Sequence, residues 1–470
     1  MLIASAPRSG TVHLTYEHWS VRSIHLLDAT TYHLWHGITP MADFMHGCDP
    51  DRFLVSGEGS YVTDRAGRRY LDGRAGMWNV TLGYSCEPVK DAMRRQLDEL
   101  PSGTILRYDS PPDVTVRYAA ALAGALPSPL NHIRFGNSGT QMTEAAIMLS
   151  RFYRRMTGEP GRNYAIAMTG SYHGSGPLAT ALSGEPVLHD YSSPLDGYVR
   201  HVARPAHDAD GPADGEPCDG SCVRPLLEVI DEIGADLVTA VILEPLLGSY
   251  ILPLPDHYLD RVTAECRSRG IHVIADEVTT GAGRVGAMTA TRRLRQTPDM
   301  VVLGKGLSAG YFPLAALAVT EQIFADLAGP DQWLGFPNGS TTDGHPIGMA
   351  AGLAVLDIIT ANGFFSEVTG TGQFIKDLIR ESLPVMPGMR AVHGEGLMLG
   401  VELADADGTP WSGADVDQLR ATCLDNGLLT STSDGIMPLM PPLTISRDEC
   451  VELVDRLGRS LRDLHKRKQG

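Results

Sequence analysis

The chain predicts an α/β protein, with a large domain on a mostly parallel sheet and a smaller α+β domain built from N- and C-terminal segments. Three observations predict it. From about residue 130 onward, apolar strand-like runs alternate with helical stretches. Several of those runs are apolar on both faces, as parallel strands covered by helices on both sides must be. Beyond about residue 353 the pattern changes to longer helices and a strand pair.

Bulk properties bound the answer. A chain of 470 residues exceeds the ~250–300 residues at which a single core stops growing, so a large domain with attachments is expected. Hydrophobic residues at 43% and charged residues at 20% exclude the disordered and membrane classes. Acidic residues outnumber basic ones, 56 to 39, and basic clustering is confined to Lys466, Arg467 and Lys468, so no nucleic-acid partner is expected. Seven scattered cysteines lack the spacing of a disulfide framework. Cys218 and Cys222 sit in a polar loop without a second Cys/His pair, so no metal site is expected. Arg8, His13, Glu17, His18 and Arg22 interrupt any early apolar run, which argues against a signal peptide or membrane span and for a cytoplasmic address.

The elements follow in order. Residues 1–85 form an N-terminal segment and part of the small domain, in which FLVSGEGSYVTDRAGRRYLDG alternates apolar and polar residues like a small antiparallel unit. Residues 86–352 form the large domain. It opens with the amphipathic helix EPVKDAMRRQLDEL and continues with strands in NHIRFGN, YAIAMTG, LVTAVILEP, IHVIADEV, DMVVLGKG and LAALAVT. Helices lie at TEAAIMLSRFYRRM and at DHYLDRVTAECRSRG, where Gly270 is a C-cap candidate. Residues 353–470 form the C-terminal part of the small domain, with a strand pair in GEGLMLGVELAD and a last helix RDECVELVDRLGRSLRDLHKR.

Five lysines occur in the chain. Lys305 alone ends an apolar strand, which places an amine at the C-terminal edge of the sheet, where α/β folds bind ligands. Burial there would lower its pKa and make it nucleophilic. Its competing role, a lysine snorkelling from a strand end, is poorly served by the flanking Gly304 and Gly306. IHVIADEV delivers Asp276 and Glu277 to the same edge. Asp276 with Lys305 suits pyridoxal chemistry, in which a carboxylate keeps the pyridine nitrogen protonated so that the ring accepts electrons. The adjacent GAGRVG matches a dinucleotide fingerprint, but the following strand ends in Gly304-Lys305 rather than in an acid, which rejects a dehydrogenase.

Asn137, Ser138, Gly139 and Thr140 precede a helix, whose free N–H groups could hold a phosphate. The same residues could equally be an ordinary cap, with Thr140 capping and Glu144 in the first turn. SYHG, with Tyr172 and His173, follows the strand YAIAMTG and offers an aromatic ring that can stack on a planar cofactor.

Taken with LWHGITPM, AGMWNVTLGY, LEPLLGS, TTDGHPIGMAAGLAVL and PLMPPLTIS, these motifs resemble the class III, fold type I aminotransferases from about residue 34 to the C-terminus, and within them the ω-amine transaminases. The resemblance implies a seven-stranded large-domain sheet and pyridoxal 5′-phosphate as cofactor. It implies that Lys305 carries the Schiff base and shuttles a proton, that Asp276 binds the pyridine nitrogen, and that Tyr172 and Val278 cover the ring faces. It further implies that Ser138, Gly139 and Thr140 hold the phosphate with His173 nearby, that Glu244 lies near the ring, and that Trp78 lines the substrate pocket. Thr341 matches a position that reaches the phosphate of the neighbouring subunit, which implies a homodimer with shared active sites.

The chain also departs from the pattern. Pro438 and Ser249 stand where many relatives have a carboxylate-clamping arginine and the glutamate that holds it. The movable arginine of ω-amine transaminases is replaced around Ser431, and Gln141 and Met142 replace the usual Glu and Ala. Arg107 is a candidate substitute anion binder. The expected reaction moves an amino group from a small-molecule donor to an aldehyde or ketone without an adjacent carboxylate, such as a biosynthetic intermediate or a modified peptide end. Alternatives are an aminomutase of the glutamate-1-semialdehyde type, a decarboxylase, or a non-catalytic binding protein of the same fold.

Overall fold

The computed structural model describes residues 32–470, except 108, 186–187, 190–196, 206–220, 330–333, 383–385, 406, 432, 434 and 470. Residues 1–31 and Cys218 therefore lie outside the described part. Of the described residues, 32–55 together with Asp64–Arg68 form a separate compact unit. Within that unit a short helix, Met41–Gly47, brings Phe44 against His36, ring centroids 4.2 Å apart.

The strands run in chain order: β1 (Leu54–Glu58), β2 (Tyr61–Asp64), β3 (Arg69–Asp72), β4 (Leu130–Gly136), β5 (Tyr164–Met168), β6 (Val199–Val202), β7 (Val238–Leu243), β8 (Leu246–Leu247), β9 (Leu252–Pro253), β10 (His272–Glu277), β11 (Met300–Leu303) and β12 (Ala315–Thr320). β13 (Met389–Glu395), β14 (Met398–Leu403), β15 (Leu428–Leu429) and β16 (Ile436–Leu439) follow. Among the described residues the central sheet has seven strands in the order β4-β12-β11-β10-β7-β5-β6. Only β12 runs antiparallel to its neighbours in it. All six strand-like runs of the sequence are present. The seventh strand, β6, has no such run, because it is short and only half-buried.

Every residue of β7, β10, β11 and β12 is buried. Their side chains alternate between two cores with the period of a strand. Ile242, Ile274, Val302 and Leu317 pack on Met142, Ala145 and Ile147 of the helix Gly139–Met156. On the other face, Val241 and Val273 meet Tyr258 and Val262 of the helix Asp256–Ser268. Val301 and Ala318 there meet Tyr118 and Leu122 of Asp113–Ala125 and Val355 of Pro346–Ile359. Each buried Val, Leu or Ile contributes ~1.5–3 kcal/mol, so the sheet is held from both sides.

The smaller lobe packs Val401, Met437 and Leu439 of an antiparallel sheet, β13-β14-β16, against Leu453, Leu457 and Leu461 of the last helix, Arg447–Gln469. Residues 61–63 and 69–72 join it: β2 pairs antiparallel with β3, and β3 pairs parallel with β15, Leu71 facing Leu428. The helix Pro346–Ile359 runs across residue 353. Met349, Val355 and Ile359 all pack into the large domain's core, so the packing of that domain extends to Ile359. Among the described residues no single helix is long and apolar enough to cross a membrane.

Candidate active site

The parallel strands deliver their C-terminal ends to one edge. β10 and β11 pair with Asp276 opposite Val302 and Glu277 opposite Leu303, so the acid and Lys305, just past β11, emerge side by side. Lys305 opens a 3-10 turn, Lys305–Ser308, in left-handed backbone at φ +37°. Its Nζ donates to Thr279 Oγ1 at 2.6 Å and sits 4.9 Å from the centre of the Trp78 ring. Burial lowers the Lys305 pKa and outweighs the opposite pull of Asp276 and Glu244, while Arg284 adds to the lowering.

Asp276 is buried. One oxygen accepts from His173 Nδ1 at 2.7 Å and the other from the Val278 backbone at 3.0 Å. The His173 backbone donates to Ser183 Oγ at 2.9 Å, and its buried Nε2 has no partner among the described residues. Glu244 follows β7 and accepts from the backbones of Tyr172 (2.9 Å) and Gly248 (3.1 Å). Burial pushes its pKa up to about 7. Repulsion from Asp276 works the same way, and His173 and the two backbone donors oppose it.

Glu277 has a different task. Its carboxylate accepts from Thr280 Oγ1, the Ala290 and Thr291 backbones and Thr291 Oγ1, all within 2.6–2.8 Å, and so closes the loop after β10. That loop contains GAGRVG, whose Arg284 is fully buried and donates to the carbonyls of Leu397 (3.0 Å) and Pro441 (2.7 Å). The apparent dinucleotide fingerprint thus ties the sheet domain to the smaller lobe.

At the start of the helix Gly139–Met156, Ser138 is the N-cap, its Oγ accepting from Gln141 N at 3.2 Å. The capping residue is therefore Ser138 rather than Thr140. Glu144 turns away to accept from Leu178 N (2.9 Å) and Ala179 N (3.1 Å) at another helix start, Pro177–Leu182. Gln141 has a specific partner: its Nε2 donates at 2.8 Å to buried Asp343, which also accepts from Asn137 Nδ2 (3.0 Å) and Ser340 N (2.9 Å). A glutamate at 141 would set two carboxylates against each other, so the glutamine is matched to Asp343.

A cavity of about 310 Å³ opens at this edge, lined by Ser138, Gly139, Thr140, Tyr172, His173, Asp276, Val278 and Lys305, all expected from the sequence. Glu244 and Trp78 both lie outside the lining, and the Trp78 ring meets the site through Lys305, whose Nζ is 4.9 Å from its centre. Thr341 is exposed and borders Thr342, which donates to Asn137 Oδ1 at 3.2 Å. Arg107 is not part of this cavity, and lines a separate one of about 460 Å³ with Arg134 and Phe336. Sequence reasoning missed Thr279, Met77, Asn79 and Phe312, which share the site. Thr279 sits inside a motif already singled out, so its nearness to Asp276 was the available signal.

The cavity suits a planar phosphorylated aldehyde. Gly139 and Thr140, in the first turn of a helix whose opening N–H groups lack intrahelical acceptors, share the cavity's lining with Asp276 and the histidine bonded to that acid. Gly139 leaves room that a Cβ, 2.9 Å from the Val278 methyls, would take. Lys305 adds an amine to the same lining.

The fold and this constellation define an aminotransferase. The class-III aminotransferase family matches residues 46–461. The omega-aminotransferase of Caulobacter vibrioides is 31% identical over 91% of this chain and 96% of its own. The diaminobutyrate–2-oxoglutarate transaminase of Halomonas elongata is 29% identical over 93% of this chain and 95% of its own. The crystal structure of an (S)-enantioselective omega-transaminase from Thermomicrobium roseum superposes with a TM-score of 0.84 at 31% identity, covering 92% of this chain and 96% of that one. The chain belongs to the class-III aminotransferases and is a pyridoxal-phosphate enzyme of fold type I.

Proposed function

We propose that this enzyme transfers an amino group from a small-molecule donor to an aldehyde or ketone that lacks an adjacent carboxylate, such as a biosynthetic intermediate or a modified peptide end. One observation carries the reading. The places where relatives hold anion-binding arginines, or the acid that steadies one, carry neutral side chains that are already engaged. Pro438 is buried in β16 opposite Gly400, the Ser249 hydroxyl donates to Glu185, and Ser431 accepts from Trp78 Nε1 at 3.3 Å.

When bound, the cofactor supplies an electron sink for the bond broken at the substrate carbon. In this reading Lys305 would hold the cofactor covalently, and its amine, more often free because burial lowers its pKa, would take and return the proton at the substrate carbon. Asp276, held by His173, keeps a proton on the pyridine nitrogen. Tyr172 and Val278 cover the ring faces, Ser138, Gly139 and Thr140 bind phosphate, and Glu244 holds the Tyr172 backbone in place. Thr341 completes the phosphate site of a neighbouring subunit in a cytoplasmic homodimer, and Trp78 shapes the substrate pocket.

Acceptors decide the matter. Neutral ketones and aldehydes should turn over faster than 2-oxo acids in a matched screen with one donor, and a strong preference for 2-oxo acids would end the proposal.

A further inference from the structure

The polar network behind the Trp78 ring has no place in the reaction described so far. Gly248 abuts that ring: a Cβ on it would lie 3.7 Å from Trp78 Cζ3 and 3.8 Å from Oγ1 of Thr279, the residue that holds Lys305. The next residue, Ser249, is fastened at both ends. Its carbonyl accepts from Ser433 Oγ at 2.6 Å, and its hydroxyl donates to the carboxylate of Glu185. Ser433 is two residues from Ser431, the partner of Trp78 Nε1. Glu185 is half-buried, and no cationic side chain among the described residues pairs with it. Arg204, the cation shown on the neighbouring residue Tyr250, stacks 4.9 Å over that residue's ring instead.

A half-buried carboxylate, oriented by a hydroxyl and paired with no cation among the described residues, is poised to take one from outside. We infer that Glu185, oriented by Ser249, forms a subsite for a second, protonated amino group on the substrate, so that α,ω-diamines and the amino aldehydes derived from them are preferred. This rests on the proposed absence of an arginine clamp, since an arginine here would repel such a group and neutralise Glu185.

The test uses purified holoenzyme and an isosteric pair of donors, putrescine and n-pentylamine, followed by bleaching of the cofactor absorbance and by steady-state turnover. Wild type should have the lower KM for putrescine. Glu185→Gln should raise the KM for putrescine about tenfold or more, the loss expected of a charge-assisted hydrogen bond, with kcat nearly unchanged and n-pentylamine unaffected. Ser249→Ala, a milder change, should move putrescine in the same direction. The subsite is refuted if Glu185→Gln alters both amines equally or neither. If that happens while neutral carbonyls remain the better acceptors, the proposed function survives alone. A wild type that prefers 2-oxo acids overturns both.

Discussion

Lys305 and Asp276 depend on each other through charge, and their substitution separates binding from turnover. Lys305→Ala should abolish covalent attachment of the cofactor, read by borohydride reduction and peptide mass analysis. It should also lower kcat at least ~10²–10⁴-fold, the usual contribution of a positioned acid–base group. Asp276→Asn keeps the shape but removes the charge that His173 Nδ1 meets at 2.7 Å. It should cost ~1.5–3 kcal/mol of charge-assisted bonding, seen as a lower melting midpoint, together with weaker cofactor retention. Glu244 makes a pH prediction with a definite sign. Its folded pKa, about 7, lies above its ordinary 4.5, so the stability it contributes is complete below 4.5 and is lost as pH rises through 7. The isosteric neutral variant Glu244→Gln should therefore gain in melting midpoint over wild type between pH 5 and pH 8, and a gain in the reverse direction would refute the buried, proton-holding glutamate.

The site also depends on where elements begin and end. Gly174 follows β5 in a conformation at φ +119°, and a Cβ there would lie 2.4 Å from Oγ1 of Thr140. Gly174→Ala should therefore push the start of the helix Gly139–Met156 out of place. The expected loss is ~1–3 kcal/mol, as for overpacking, and should appear both in thermal melting and as weaker fluorescence-detected rebinding of cofactor to the apoenzyme. Most of these elements were legible beforehand. β7 and β10 to β12 are continuous apolar runs, and Gly270 does end a helix at φ +64°. β6 was not legible, because a half-buried edge strand carries little apolar signal. The cap at Ser138 was open between neighbours, since several consecutive residues could have accepted from the first turn.

The whole molecule raises the question of its partner. A homodimer sharing active sites predicts a mass near twice 50.6 kDa in light scattering. It also predicts that Thr341→Val weakens cofactor retention about tenfold, the effect of ~1.4 kcal/mol, without changing that mass. Thr341 is exposed in a single chain and is absent from the lining of that chain's cavity, so the shared-site reading is overturned if Thr341→Val leaves cofactor retention unchanged.

Six strands of the central sheet as runs along the chain, the amine at 305, the acid at 276 and the resemblance to the family were readable from residues alone, because burial on both faces and a charge at a strand end leave local marks in a sequence, whereas the order of the strands in the sheet came from the tertiary structure. Tertiary structure decided what distant residues do to one another. It turned GAGRVG into a buried arginine tie, matched Gln141 to Asp343 across about 200 residues, and moved Arg107 to another cavity. It also joined Ser249 to Glu185. Such pairings depend on which loops the sheet brings to one edge, and no local pattern of hydrophobicity or charge encodes that distance.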